Sequence, residues 1–415
     1  MRSPSAIRLP AAFNRLAWSN LAAQSAEQIG LAAAPIVAVL ALGAGAGATG
    51  LLQTMQTLPF LLFAIPAGVL ADRTSRPYLM AAAEALRVIA LIAIVVLAGF
   101  GRLTFPLLAL LGFIGACGTV AYSVAAPALV PSLVPPAALA AANARIELAR
   151  TVAFAAGPAL AGALVGWTGG APAFALAAAL SACAVILLAG LREPHRPPLS
   201  PRRPLYDLRE GAEFVFRHPL LKPVFVTQLI FNTAFFMLHA VYVPYAVHRL
   251  DLSATQVGAT LAAYGGGMVV GALLAPRIMR ALPFGVVIAI GPIAGLAAAA
   301  VMVLTIWAPS FLLAGLSFFL IGAGPILWVI STTTLRQTVT PRDLLGRVSA
   351  INIMAYGSRP VGAAIGALVG GLYGAETCLI VAALGFLIQA WVILRSPVIR
   401  LARQPAMAWQ GQPAA

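Results

Sequence analysis

Charge is what this sequence has least of. Of its 415 residues only 9% are Asp, Glu, Lys or Arg, whereas 61% are hydrophobic. Soluble globular chains carry roughly a quarter charged residues, so most of this surface cannot face water, and lipid is the remaining solvent. Acid is scarcer than base, with 11 Asp plus Glu against 26 Lys plus Arg and a formal net charge of +15. The bases lie between apolar runs and form no patch interleaved with aromatics, which excludes a nucleic-acid surface. Cys117, Cys183 and Cys378 stand singly inside apolar runs. They match no zinc or redox motif and read as small residues for helix packing. No His/Asp/Glu cluster, nucleophile–base pair or metal-ligand spacing points to an enzyme, and neither a metal nor a cofactor is expected. No Gly-rich phosphate loop ending in Gly-Lys-Ser/Thr occurs, which argues against direct use of ATP. The basic stretch from Met1 to Arg15 leads into no cleavable signal pattern and reads as a cytoplasmic tail.

What the sequence has in plenty is long apolar runs. A bilayer-spanning helix needs about twenty mainly apolar residues. Such runs recur near 17–41, 48–71, 78–99, 105–130, 148–167 and 171–191, then near 222–247, 255–277, 284–306, 310–332, 347–371 and 376–395. They are too long for barrel strands and lack alternation, so the fold expected is an all-α polytopic membrane protein of about twelve helices. Arg73, Arg76, Arg145, Arg277, Arg280, Arg336, Arg342 and Arg347 mark one set of loops, while the alternate set holds only Arg102 and Arg249. By the positive-inside rule both termini and the middle loop are cytoplasmic. The domain reading is a six-helix bundle over 1–191, a cytoplasmic loop over 192–219, a second bundle over 220–397 and a tail over 398–415. Within the loop, Asp207–Arg217 suits a short amphipathic helix at the membrane surface, its bases drawn to anionic lipid. Gly162-Ala-Leu-Val-Gly166 recurs as Gly366-Ala-Leu-Val-Gly370, and the same offset sets Ala71-Asp72-Arg73 on Ala275-Pro276-Arg277. The halves read as parallel repeats, an architecture of secondary transporters.

The loop after the second run reads Gly68-Val-Leu-Ala-Asp72-Arg73-Thr-Ser-Arg76-Pro. It resembles the loop 2–3 signature of the major facilitator superfamily. Gly68 suits close backbone approach, and Asp72 suits acceptance from a basic group or capping of a helix N-terminus. The resemblance implies a latch formed by Gly68, Asp72, Arg73 and Arg76 that stabilises the outward-facing state. In the second half Pro276 stands where the acid would be. The fifth run, Ala153-Phe-Ala-Ala-Gly157-Pro158-Ala-Leu-Ala161-Gly162, is similar to the antiporter motif of exporting facilitators at Gly157, Pro158 and Gly162. It departs from that motif at Ala153 and Ala161. Generic packing of a kinked helix selects the same small residues. The stretch from Ala126 to Asn143, with Pro341-Arg-Asp-Leu-Leu-Gly346-Arg347, looks like the branch of the enterobactin exporter and related drug and macrolide efflux permeases.

An ionised side chain at mid-bilayer costs roughly 2.5–3.5 kcal/mol, so each one asks for a reason. Asn20, Gln24, Glu27 and Gln28 share one face of the first run. Two readings of Glu27 stand. It exchanges a proton or binds a cationic group, or it is a structural carboxylate hydrogen-bonded to neighbouring helices. Glu84 with Arg87, and Glu147 with Arg150, are spaced to pair. Asn352, Tyr356 and Arg359 fall on one face of the eleventh run, just before Pro360. Arg359 attracts an anionic substrate group, offers Glu27 a counter-charge, or partners carbonyls at a kink. On the seventh run Gln228, Asn232 and His239 share a face, and Gln53 and Gln56 add polarity on the second.

Taken with the resemblance, these residues imply a secondary transporter working by alternating access. The expectation is a proton-coupled exporter, in a bacterial inner membrane, of a small amphipathic molecule such as a drug, siderophore or metabolite. A facilitator-fold importer or uniporter, and a non-transporting receptor or scaffold, remain the alternatives.

Overall fold

The computed structural model describes residues 10–135, 138–193, 204–341 and 344–405, and these residues are helical throughout apart from short connections. In chain order the helices are α1 (Ala11–Leu42), α2 (Ala46–Arg73), α3 (Arg76–Gly99), α4 (Phe105–Leu133), α5 (Leu139–Thr168) and α6 (Gly170–Ala189). Then come α7 (Pro204–Arg217), α8 (Leu221–His248), α9 (Ala254–Ala281), α10 (Phe284–Leu304) and α11 (Phe311–Val339). The chain continues with α12 (Leu345–Met354), α13 (Ser358–Tyr373) and α14 (Ala375–Arg395). Eleven of the described helices are long and apolar enough to cross a membrane. Helices suit that solvent because every backbone polar group is satisfied within the segment.

The eleventh predicted run is the exception to a continuous crossing. It is divided into α12 and α13 by a 3-10 turn at Ala355–Gly357. Pro360 has no N–H to offer the carbonyl of Tyr356, so the α-helical ladder cannot run through this point. Within the turn, Ser358 Oγ donates to the Ala355 carbonyl at 2.7 Å. Prolines inside other helices, Pro35, Pro59, Pro158 and Pro325 among them, leave those helices unbroken.

The chain divides into two compact units, and residues 39–54 group with the second. In the first unit α3 packs along α4 and α6. Phe13, Leu16, Met80, Tyr122 and Leu129 anchor its core, each almost wholly buried. In the second, α11 packs along α9 and α10, and α8 along α13 and α14. Lipid is as apolar as leucine, so helices here associate through close packing. A Cβ on Gly322 would lie 2.0 Å from the Tyr264 carbonyl oxygen, and one on Gly267 would lie 2.1 Å from that of Phe319. Only glycine permits the α9–α11 crossing at this distance. The turns joining α5 to α6 and α13 to α14 each use a glycine at positive φ, Gly169 at 84° and Gly374 at 88°. The repeat seen in the sequence thus extends to equivalent turns.

The amphipathic segment expected at 207–217 is α7, with one correction. Its apolar residues Leu208, Ala212 and Val215 do not need lipid to cover them, because Val348 and Ile351 of α12 and Leu221 of α8 pack there. Arg347 closes this contact by donating to Glu210 at 2.6 Å, and the bare Cα of Gly211 makes room for the Arg347 backbone. Arg196, Arg202 and Arg203 of the same loop lie outside the described residues.

Two outcomes follow from this packing. Gly322→Val should lower stability by about 1–3 kcal/mol, the usual cost of overpacking. Thermal unfolding in detergent would show it, against Gly68→Ala, whose added carbon meets nothing within 4 Å. The second outcome concerns His218, whose Nδ1 accepts from the N–H groups of Leu220 at 3.2 Å and Leu221 at 3.4 Å at the start of α8. Burial holds its pKa below the ordinary 6.5. A depressed histidine contributes stability in full above about 6.5 and loses it as pH falls towards the folded value. The wild type should therefore lose more thermal stability between pH 7.5 and 5.5 than His218→Asn, which keeps an acceptor that does not titrate.

Candidate functional site

Within the first unit, the polar face of α1 meets a buried ion cluster. Arg87 of α3 donates through Nη1 to Glu84 Oε1 at 2.7 Å and to the Ala23 carbonyl at 3.2 Å. Its Nη2 donates to Thr119 Oγ1 of α4 at 2.5 Å and lies 3.8 Å from Glu27 Oε2. One guanidinium therefore joins α1, α3 and α4. The pairing of Glu84 with Arg87 is present as the spacing predicted, but the same arginine also faces Glu27. The two carboxylates differ in access: the Glu84 side chain is fully buried, and that of Glu27 is 19% exposed. Glu84 Oε2 has no hydrogen-bond partner among the described residues. Ser19 and the buried Tyr122 stand beside the cluster, their hydroxyls 3.4 Å apart. Glu147 and Arg150 also pair, away from this cluster.

The residues expected around Glu27 fall as follows. Gln28 is buried and Gln24 half-buried on α1. Asn20 donates to the Ile146 carbonyl at 3.5 Å. Gly157 of the antiporter-like segment is where α5 closes on α1, since a Cβ there would lie 2.5 Å from Gln28 Cβ. Pro158 follows it, buried. The small-residue stretch thus sets the distance between α5 and the polar face of α1.

At the loop between α2 and α3, Arg76 donates to Glu193 Oε1 at 2.7 Å and to the Ala128 carbonyl at 3.2 Å. The backbone N–H of Arg76 adds a contact to Glu193 Oε2 at 3.4 Å. The latch arginine is thus tied to the residues just after α6 and to α4. The side chain of Asp72 lies outside the described residues, and Arg73 is exposed. Gly68 makes no close approach among the described residues, contrary to the reason expected for it. Glu193 escaped the sequence reading because a carboxylate beside a basic loop carries no periodic signal.

In the second unit, Arg359 donates through Nε to Asn232 Oδ1 at 3.2 Å. Its guanidinium lies 4.1 Å from the Tyr356 ring centroid and 5.4 Å from that of Phe236. Asn232 in turn donates to the Gln228 carbonyl at 2.9 Å. His239 Nδ1 is 3.3 Å from Gln53 Oε1. Phe235 stacks near Tyr264 and stands edge-on to Phe236, continuing an aromatic face along α8. The expected single face of Asn352, Tyr356 and Arg359 is interrupted by the 3-10 turn. Tyr356 and Arg359 stack across it, and Asn352 sits half-buried on α12 before it.

Comparison with known proteins agrees with this architecture. The chain is 28% identical over 264 residues to the enterobactin exporter EntS of Citrobacter koseri, covering 63% of this chain and 60% of that protein. It is 32% identical over 222 residues to an uncharacterised MFS-type transporter, y4rN, of Sinorhizobium fredii, covering 51% of this chain and 53% of the relative. The matches therefore span a little over half the length of these relatives. Among solved structures, a bacterial homologue of the iron transporter ferroportin, in an inward-facing state, superposes with a TM-score of 0.73 at 16% identity. That match covers 92% of this chain and 98% of the other. The nucleoside transporter NupG superposes with a TM-score of 0.75 at 14% identity over 93% of this chain and 98% of its own. At such identities the likeness is one of fold. The model of the Major Facilitator Superfamily matches residues 16–367, and the chain belongs to that family.

Proposed function

We propose that this transporter exports small amphipathic molecules in exchange for protons, by alternating access, across a bacterial inner membrane with both termini in the cytoplasm. The observation that carries the reading is one guanidinium, Arg87, shared by two carboxylates. With both acids ionised, two carboxylates share the Arg87 guanidinium within apolar helices, where ionised groups are costly. A proton on either acid leaves a neutral ion pair and a neutral acid. Glu27 is the more exposed of the two, so it exchanges the proton with water. Glu84 stays with Arg87. Each proton crossing 100 mV supplies about 2.3 kcal/mol, which drives export against a gradient. The match to an enterobactin exporter over 63% of the chain supports the outward direction. The close α5–α1 contact at Gly157 supports α5 as a mobile element of the gate.

The test is proton flux into liposomes containing the purified protein as a panel of lipophilic and siderophore-like compounds is added. Wild type should move protons when a substrate is present, and Glu27→Gln should abolish that movement while keeping substrate binding. Glu84→Gln leaves Arg87 entirely to Glu27 and should slow proton release roughly tenfold or more, as loss of one charge-assisted interaction would. Substrate-driven proton flux that persists in Glu27→Gln would remove Glu27 from coupling. Substrate movement with no protons in wild type would favour a uniporter.

A further inference from the structure

The chain does not leave the fold where α14 ends. Ser396 Oγ accepts from the Val398 N–H at 3.3 Å and opens a 3-10 turn, Pro397–Arg400. Val398 is fully buried in a cluster with Phe284, Ile288, Leu335 and Ile393, and Leu401 packs at its edge. At the start of α10 the N–H groups of Phe284 and Gly285 donate to the carbonyls of Ala402 at 3.4 Å and Leu401 at 2.8 Å. A helix start leaves such donors without intrahelical partners, and here a strap of the later chain takes two of them. A Cβ on Gly285 would lie 2.3 Å from the Val398 carbonyl oxygen, so glycine is what lets the strap lie this close.

With Val398 and Leu401 directed inward, Arg400 and Arg403 of the strap are exposed. The bonds to Phe284 and Gly285 hold the strap beside the α9–α10 turn, just before which Arg277 and Arg280 are exposed as well. Arg395, in the last turn of α14, sits with its guanidinium 5.6 Å from the ring centroid of the exposed Trp391. Leu282 and Leu394, close to these arginines in the chain, are also exposed. Over residues 254–405 the sequence has only two acids, Asp343 and Glu376. Asp343 lies outside the described residues. Glu376 is bonded to Arg249 at 2.8 Å and stands at the other end of α14, roughly 30 Å from Arg395 along the helix. A cation is favoured at a helix C-terminus, which accounts for Arg280 and Arg395 but not for Arg277 or Arg403. Both α9 and α14 are long and apolar enough to cross a membrane, so bases, tryptophan and leucine at their ends stand where the apolar surface gives way to headgroups.

We infer that the strap and the adjoining ends of α9 and α14 form a docking surface for an anionic phospholipid. The phosphodiester meets Arg280, Arg400 and Arg403, and the acyl chains lie along Leu282, Trp391 and Leu394. The occupant follows from the two chemistries present together. A nucleic acid or an acidic peptide would match the bases alone, whereas a phospholipid matches the bases and the exposed apolar side chains. Seated there, the lipid holds the strap against the start of α10, in the half of the chain where Pro276 replaces the acid of the loop signature. The surface belongs to the second unit, and the Arg87 cluster to the first, so lipid docking and proton exchange stand or fall separately.

The test is native mass spectrometry of the full chain in a neutral detergent, titrated with dioctanoyl phosphatidylglycerol, dioctanoyl phosphatidylcholine or free glycerol phosphate. Phosphatidylglycerol should bind roughly tenfold or more tighter than phosphatidylcholine, about fivefold being expected for each arginine that meets the headgroup. Arg400→Gln with Arg403→Gln should lose most of that preference. Arg400→Lys with Arg403→Lys should keep it, because attraction to a headgroup depends on charge more than on the shape of the donor. Arg102→Gln with Arg192→Gln removes the same charge elsewhere and should leave the preference within about twofold. Equal binding of the two lipids to wild type, or a preference that survives in Arg400→Gln with Arg403→Gln, overturns the surface. Glycerol phosphate bound as tightly as the lipid overturns the phospholipid as its occupant and leaves a site for a soluble phosphate. Should the glutamine pair fail to purify as monodisperse protein, Arg277→Gln with Arg280→Gln decides by the same loss.

Discussion

Arg87 is the point on which the first unit depends. Its guanidinium reaches a carbonyl and a carboxylate of α1, a carboxylate of its own helix and a hydroxyl of α4. Only a planar, permanently charged fork serves acceptors in so many directions. Replacing such a group by an apolar side chain removes the cation that two carboxylates share, and breaking a buried pair typically costs about 3–5 kcal/mol. Most other polar groups in the helices are satisfied locally. Thr54, Thr233, Thr332 and Thr334 return their hydroxyls to carbonyls four residues back. Those bonds fix nothing between helices. The ion cluster ties α1, α3 and α4 together, while crossings such as α9 on α11 are set by glycine and close van der Waals contact.

This division follows from the solvent. In water, burial of apolar area pulls helices together, but against lipid that gradient vanishes. What remains is contact at distances only small residues allow, and polar groups with no alternative partner. The second unit uses the first device at Gly267, Gly271 and Gly322. The first unit adds the second device at Arg87, alongside its own close contact where Gly118 meets the Ala83 carbonyl at 2.4 Å from the Cβ position. A cluster that both holds helices together and takes up a proton would couple protonation to packing.

Much of the fold was legible because membrane helices announce themselves by length and hydropathy, and because α7 carries its amphipathic period in plain view. The pairing of Glu84 with Arg87 was legible too, being local to one helix. The link from Arg87 to Glu27 was not, since it depends on how α1 and α3 are rotated about their axes, and no single-helix period encodes that. The same holds for Arg76 with Glu193. The break at Ala355–Gly357 was half legible. Pro360 marked a bend, but a missing N–H alone does not say whether the helix kinks or breaks into a 3-10 turn.

The internal repeat shows how the two units came to differ. The offset that sets Gly162 on Gly366 also sets Gln24 on Gln228 and Gln28 on Asn232, and it places Phe231 where the first unit has Glu27. The amide positions persist while the carboxylate has given way to a phenyl ring. Asn232 now orients Arg359 instead of lying beside an acid. The equivalent faces differ in the two copies: in one, two carboxylates share Arg87, and in the other, Asn232 and the Tyr356 and Phe236 rings surround Arg359.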